Sequence, residues 1–598
     1  MRRELQSLSL NKVFELNNFT YYYPRHSKPA LGQVSMEVGE GEFLLLTGRS
    51  GSGKSTLTRA LCGLVPDFYG GSVSGDILYQ GVPLDKWTKS SLARQIGIVF
   101  QEPDSQLLYR NVERDIAFGL ENLDLPNSFM QRRVAEMMDF LNLNALRQRD
   151  SNTLSGGEKQ KIALAGVLAM NPQVLILDEP TSQLDPVAAA EFLKLIKDLN
   201  DEFAITIILI EQRLEQSFSL ADRIVVLDGG TVVFQGGSRE ELRWAAQQNY
   251  PLVPVIPAIF TGFTDSDLPL TVKEGRKLLA GFSVKYHSQL SNWEDEQLKI
   301  RQLQPKAVGK TDKEMNSGGK NTNPRGDRAK PLAEIKRLSF TYAHGEPALR
   351  DVNLNIWPGE CVAIVGANGA GKSTLLKAMA GLLPAFNGYV RVGNYSGKEL
   401  KAEKINHLLA YLPQDLDNFF LADTVYQDIA LSTQITASDA EFWLGKMNLH
   451  DFREDDPRKL STGEKHRVAM AALLAANPEL ILLDEPTTGI DGEQKQEIGN
   501  LLLDLCGQGK SVLLVTHDID FASDYAGRLV FMHSGNILAD GSIQEVMAGN
   551  IFYTSQAARL FRGIEPGIIN KTRARQYLGS HFSMDSPWGM GQEKGLDY

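Results

Sequence analysis

The sequence predicts an α/β protein in which one domain is built twice. Two observations carry this: three short motifs occur twice in the same order, and each copy of the first lies between a strand pattern and a helix pattern. Gly48-Arg49-Ser50-Gly51-Ser52-Gly53-Lys54-Ser55-Thr56 returns as Gly366-Ala367-Asn368-Gly369-Ala370-Gly371-Lys372-Ser373-Thr374. Leu154-Ser155-Gly156-Gly157-Glu158-Lys159 returns as Leu460-Ser461-Thr462-Gly463-Glu464-Lys465. Leu175-Ile176-Leu177-Asp178-Glu179-Pro180-Thr181 returns as Ile481-Leu482-Leu483-Asp484-Glu485-Pro486-Thr487. The second and third pairs both stand 306 residues apart and the first 318, so the first half holds a short insertion between its motifs. Duplication of one domain accounts for this; chance does not.

In chain order, the first half runs over 10–245. Phe43–Thr47 is an apolar run of strand length, leading into the Gly-rich loop and then a helix-like run, Leu57–Leu64. The second half, 332–550, repeats this as Cys361–Val365, the loop and Leu375–Leu383. That context is what a phosphate-binding P-loop requires. The glycines let backbone N–H groups face phosphate at a helix N-terminus, whose partial positive charge favours anions. Lys54 and Lys372 are expected to reach the β- and γ-phosphates of ATP, and Ser55 and Ser373 to ligate Mg2+. Asp178 and Asp484 end strongly apolar strands, the expected place for a carboxylate holding Mg2+ through water. The adjacent Glu179 and Glu485 then face the attacking water as general bases. Acids at a strand end can be merely solvated, but the P-loops in the same halves argue against that here.

Between the halves, 301–330 is rich in Lys, Gly, Asn and Pro and reads as a flexible linker, a solvated tether rather than an RNA contact. The segment 246–300 reads as a small appendage packed on the first half, and the tail 551–598 has no assignment. The chain has 23% charged and 42% hydrophobic residues, as soluble globular proteins do. Its longest apolar runs, such as Val174–Leu177, are strand length, far short of the ~20 residues that span a bilayer. Met1–Ser7 has no apolar run of signal-peptide type, so the chain is expected to stay in the cytosol, with any membrane role coming through a partner. Cys62, Cys361 and Cys506 stand far apart without a CxxC spacing, which argues for small core residues rather than a metal site or disulfides. A net charge of −11 disfavours general nucleic-acid binding, and no nucleic-acid partner is expected.

Together, the P-loops, the Asp-Glu-Pro-Thr boxes and the Leu-Ser-Gly-Gly-Glu segment resemble the ATP-binding-cassette ATPases over nearly the whole of both halves. The resemblance implies a RecA-like core, an antiparallel β subdomain and a helical subdomain carrying the Leu-Ser-Gly-Gly-Glu signature. It also implies head-to-tail pairing, in which the signature of one half completes the nucleotide site of the other with a serine hydroxyl and backbone N–H groups. Gln101 and Gln414 match the loop glutamine that senses Mg2+, Tyr23 and Tyr342 the aromatic that stacks on adenine. Asp185 and Asp491 match the aspartate that communicates between sites. By this pairing, site one joins Lys54, Asp178, Glu179 and Gln212 with Ser461-Thr462-Gly463. Site two joins Lys372, Asp484, Glu485 and His517 with Ser155-Gly156-Gly157.

Two departures from the family pattern both fall in site one. His517 matches the histidine that contacts the γ-phosphate, whereas Gln212 stands at that place in the first half; an amide can bond phosphate but cannot carry an imidazolium's charge. Thr462 replaces the glycine found at Gly156, in a loop that approaches phosphate closely. The expectation is an asymmetric ATPase whose site two hydrolyses faster, against neutral variation.

The region after the loop glutamine contacts the partner in this family. Here Gln101-Glu102-Pro103-Asp104, Glu211-Gln212-Arg213-Leu214-Glu215 and Pro269–Arg276 look like the ATPases of energy-coupling-factor (ECF) transporters, which import vitamins, vitamin precursors and transition-metal ions. The resemblance implies a transmembrane coupling subunit and a separate substrate-binding membrane protein, with this chain peripheral on the cytoplasmic face of the membrane. Asp104, Glu113, Asp115, Asp415, Asp417 and Asp423 are candidate acids for docking arginine-bearing coupling helices, or an ordinary solvated face. The alternatives are a tandem sugar-importer ATPase and a soluble cassette protein acting on the ribosome.

Overall fold

The computed structural model describes residues 11–123, 125–264, 267–283, 330–342, 347–383, 386–416, 419–431 and 436–581. The linker expected at 301–330 therefore lies outside the described residues except for Lys330, as does the tail beyond His581.

Each half carries two sheets. In the first, six strands lie in the order Thr231–Gly236, Arg223–Asp228, Phe43–Gly48, Thr206–Ile210, Val174–Asp178 and Ile96–Val99, all parallel except the first pair. The second half repeats the order with Asn536–Ser542, Arg528–His533, Cys361–Val365, Ser511–Val515, Leu480–Asp484 and Leu409–Leu412. Every residue of Phe43–Gly48, Val174–Asp178 and Thr206–Ile210 is buried, as expected of parallel strands covered on both faces, which is why they read as unbroken apolar runs. The smaller antiparallel sheet is different. In Leu31–Gly39 the buried residues are Leu31, Val34, Met36 and Val38, the near-alternation of a sheet with one wet face. A third layer of helices, Val112–Glu121, Asn127–Phe140 and Gly156–Ala169, shares the core under the parallel sheet.

The helices after the P-loops are Lys54–Leu61 and Lys372–Met379, about one turn earlier than the apolar pattern predicts. Gly53 and Gly371, at φ 99° and 96°, turn the chain into the helix ahead of its apolar face. The cysteines are free, but Cys361 and Cys506 meet thiol to thiol despite their separation in sequence.

The segments following each half form a joint body. Val255–Phe260 and Val272–Ser283 from the first half pack with Gln556–Phe561 and Lys571–His581 from the second around Phe260, Leu560 and Phe561, all fully buried. Two arginines exchange across this body. Arg276 donates from Nε to Leu560 O at 3.2 Å, and Arg575 donates from Nη1 to Ala258 O at 2.7 Å and Thr261 O at 3.0 Å. Each guanidinium thus satisfies carbonyls at the C-terminal end of the other half's short helix. Arg239–Glu274 (3.2 Å) and Arg243–Asp267 (2.6 Å) tie the body to the first half, and Gln556 N donating to Asp520 (2.9 Å) ties it to the second. The described part of the 246–300 segment, which ends at Ser283, thus reaches beyond the first half, on which the sequence alone places it.

One buried acid is out of keeping with this core. Glu241 in helix Ser238–Gln248 has no exposed surface, and neither carboxyl oxygen has a hydrogen-bond partner among the described residues. The same helical position in the second half is Val546. Burial pushes the Glu241 carboxyl up to about 8. The folded protein then keeps a proton that the unfolded chain releases, so the penalty is absent below about pH 4.5, grows as pH rises towards 8 and is constant above. Glu241→Val is expected to stabilise the protein by about 2–4 kcal/mol at pH 8 and by under about 1 kcal/mol at pH 5. Denaturant midpoints of both proteins at the two pH values check it.

Candidate active site

Both P-loops press against the end of the neighbouring strand. A Cβ on Gly48 would stand 2.0 Å from Leu227 O, and one on Gly366 2.1 Å from Met532 O, so only glycine fits. The lysine that opens each helix folds back over its loop. Lys54 Nζ donates to Gly48 O (2.9 Å) and Arg49 O (2.8 Å), and Lys372 Nζ to Gly366 O and Ala367 O (both 2.9 Å). Burial lowers the pKa of both ammonium groups, opposed by Glu179 and Asp178 at the first and Glu485 and Asp484 at the second. Tyr23 and Tyr342 sit over the last residue of each loop, their hydroxyls 3.2 Å from Thr56 Oγ1 and 3.3 Å from Thr374 Oγ1. Tyr23 also accepts from Arg59 at 2.7 Å, whereas Tyr342 is 47% exposed.

The strands Val174–Asp178 and Leu480–Asp484 carry the acids to these loops. Asp178 is hydrogen-bonded to the Ser55 side chain and Asp484 to that of Ser373, and burial raises both carboxyls. In each, Oδ1 is buried with no hydrogen-bond partner among the described residues. An orphaned carboxylate oxygen beside a serine hydroxyl is a hard oxygen donor set of the kind Mg2+ takes when shared with phosphates. Among the described residues no group of three or more His, Cys, Asp or Glu could hold a metal alone. Glu179 and Glu485 follow with left-handed backbones (φ 46° and 54°), while their N–H groups continue the ladder to Ile210 O and Val515 O at 3.0 Å. Burial pushes both carboxyls up to about 7.

The two glutamates differ in their partners. Glu179 is held at both oxygens by amides: Gln212 Nε2 donates to Oε1 at 2.5 Å and Gln101 Nε2 to Oε2 at 3.2 Å. Glu485 Oε2 accepts from the His517 backbone N–H at 3.1 Å. Its Oε1 lies 3.1 Å from His517 Nε2 but has no aligned hydrogen bond among the described residues. Gln414 is exposed. Ser155 and Ser461 each cap their own helix by bonding Glu158 and Glu464. Of Thr462 the structure describes the backbone, the first residue of helix Thr462–Ala475.

The halves meet head to tail at the segments after the glutamates. Ser50 N donates to Asp491 Oδ2 at 2.9 Å and Asn368 N to Asp185 Oδ2 at 3.3 Å. Arg49 adds an ion pair to Glu493 at 3.3 Å, half exposed and therefore weak. Sequence reasoning overlooks Glu211, which accepts from Thr181 N (3.2 Å) and Oγ1 (2.6 Å) and braces the turn beyond Glu179; burial pushes it up to about 8. An acid closing the apolar run Thr206–Ile210 is the signal that points to it.

Several candidate docking acids are already engaged. Asp104 pairs with Lys159, Glu113 with Arg147 and Asp423 with Arg458. Asp115 turns inward to accept from Leu108 N and Tyr109 N, both 2.8 Å, which removes it from a docking role. Asp417 lies outside the described residues.

With this geometry in place, similarity to known proteins is informative. The family model for ABC transporter matches residues 31–182 and again 349–488. A Bacillus thuringiensis subsp. konkukian protein described as an ABC transporter ATP-binding protein is 34% identical over 557 residues, 92% of this chain and 95% of its own. The chain belongs to the ATP-binding-cassette family. It is an ATPase with two cassettes in one polypeptide. A Methanosarcina acetivorans protein of the same description is 35% identical to this tandem cassette ATPase over 550 residues, covering 89% of this chain and 86% of its own. The archaeal ribosome recycling factor aABCE1, solved in complex with the stalk protein aP1, matches over 89% of this chain and 91% of its own, with a TM-score of 0.53 at 22% identity. That likeness shows the fold alone.

Proposed function

We propose that this tandem cassette ATPase is the motor of an ECF-type importer of a vitamin, a vitamin precursor or a transition-metal ion. It works with a transmembrane coupling subunit and a separate substrate-binding membrane protein, and sits on the cytoplasmic face of the membrane. The observation that carries this reading is a matched pair of apolar knobs beside the loop glutamines. Leu108 is 61% exposed and Leu421 78% exposed. Each sits on a loop held from within, by Asp115 in the first half and by Asp428 in the second, which accepts from Leu421 N (2.9 Å) and Ala422 N (3.0 Å). Two equivalent, rigidly held leucines suit two helices of one membrane partner. Among the described residues no helix is long and apolar enough to cross a membrane. The transporter descriptions of the relatives and the Glu211–Glu215 motif support the same reading.

In the catalytic step, Lys54 and Lys372 swing from their loop carbonyls to the phosphates of ATP, and Tyr23 and Tyr342 stack on adenine. Ser55 with Asp178, and Ser373 with Asp484, would hold Mg2+, which neutralises charge developing on the transferred phosphoryl group; Gln101 and Gln414 would sense it. Glu485 takes the proton of the attacking water, a task for which a carboxyl near 7 is suited. His517 holds the γ-phosphate, and Ser155 with the N–H groups of Gly156 and Gly157 closes over it from the other half. Glu179, Gln212, Ser461, Thr462 and Gly463 form the corresponding, slower site.

Purification of tagged protein from membranes tests the reading. Membrane proteins should co-purify, and the Leu108→Asp, Leu421→Asp double variant should lose them while keeping basal ATPase activity. Undiminished co-purification by the double variant, or sedimentation with ribosomes instead, would sink the proposal.

A further inference from the structure

The motifs of the first half end in Gln212-Arg213 where those of the second end in His517-Asp518. Head-to-tail pairing brings these two turns together. Arg213, Glu215 and Gln216 of the first half line a cavity of about 110 Å³ with His517, Asp518 and Lys495 of the second. Five side-chain atoms of its lining residues are buried without hydrogen-bond partners among the described residues: Arg213 Nη2, Gln216 Oε1, His517 Nδ1, Thr554 Oγ1 and Arg559 Nε. Of these, Arg213 Nη2 and His517 Nδ1 come from opposite halves and are chemically complementary. A guanidinium only donates, and an imidazole nitrogen accepts only when its proton sits on the other nitrogen. The cavity is large enough for a bridging water.

We propose that Arg213, supplied by the first half, is a positioning residue for site two that holds His517 as the neutral tautomer with its proton on Nε2. Nε2 is the nitrogen beside Glu485, at 3.1 Å, and so the one presented to the γ-phosphate. The electrostatics agree: burial first, then Lys372 and Arg213, keep the imidazole well below its usual pKa, so it is neutral and lacks the imidazolium charge that the sequence suggests for it. The other charges on the cavity do not cancel the effect. Asp518 is bound to Lys495 at 2.6 Å, Arg559 faces Asp520, and Glu215 faces Lys495 and Arg213. The arrangement is one-way. Asp518, at the position equivalent to Arg213, is occupied by Lys495 and offers site one no cation, and Gln212 has no tautomer to fix. A histidine in one half is thus matched by an arginine in the other, and a glutamine by an aspartate.

The inference rests on Glu485 and His517 being the working pair of site two, and a double-mutant cycle on the full chain separates the two claims. In single-turnover ATP hydrolysis, Arg213→Ala should lower kcat about tenfold or more, with KM for ATP changed less than about twofold, and Arg213→Lys should restore most of it. In a His517→Gln background, Arg213→Ala should cost less than about twofold more. An equal loss in both backgrounds makes Arg213 merely structural and overturns the proposal. A His517→Gln protein with full kcat overturns the assignment of the pair, and the proposal with it. Histidine ring nitrogen shifts of labelled wild-type protein give an independent reading: Nε2–H neutral imidazole at His517 is expected, and Nδ1–H imidazole overturns the inference without any variant having to fold.

Discussion

Glu485→Gln should reduce ATP turnover by about 100- to 1,000-fold, whereas Glu179→Gln should leave a large part of it. The expectation of unequal sites begins with Gln212 and Thr462, but the structure supplies its own reason. Glu179 has one oxygen bonded to Gln212 at 2.5 Å and the other to Gln101 at 3.2 Å. Burial leaves both glutamates near 7, so the difference is one of access: each Glu179 oxygen already accepts from an amide that an attacking water must share or displace. Glu485 keeps Oε1 without an aligned donor among the described residues, beside an imidazole that can turn to phosphate. Both variants should still bind ATP, because the lysines and loops are untouched. Multiple-turnover and single-turnover hydrolysis measured on each variant decide the matter, since a single turnover removes any masking by cooperation between sites. Equal losses in single turnover would leave the sites equivalent.

Phe561→Ala should cost the joint helical body about 3–5 kcal/mol, because a fully buried ring is removed from a small cluster with little else to fill the space. Because Phe561 belongs to the second half and Phe260 to the first, Phe260→Ala should act on the same transition. Scanning calorimetry should show an early transition split off from the melting of the two ATPase domains. A single unshifted transition would mean that the body adds nothing to holding the halves together.

That a lysine and two acids gather around each P-loop is legible in the sequence because phosphate chemistry requires particular residue types at fixed spacing. Lys54, Asp178 and Glu179 reach one place through a loop and adjoining strands that tolerate little variation, and the same holds for Lys372, Asp484 and Glu485. What spacing does not encode is which long-range partner a side chain chooses. Asp115 reads as one acid among several on a surface, yet it faces two backbone N–H groups. Arg213 reads as part of a short motif in its own half, yet it lines a cavity with the histidine of the other. The helices at 255–283 and 556–581 carry too few residues each to announce a core, and only their mutual packing creates one. The start of the P-loop helices was misplaced for a related reason. Apolar periodicity marks the face a helix buries, while the first turn here is set by glycine conformation.

The exchange of Arg276 and Arg575 between the halves bears on kinetics. A joint body that persists while the nucleotide sites part would make reclosure an intramolecular event, at an effective concentration on the order of millimolar regardless of how dilute the protein is. ATP hydrolysis by the isolated chain should therefore be first order in protein down to high dilution, with no lag from subunit encounter.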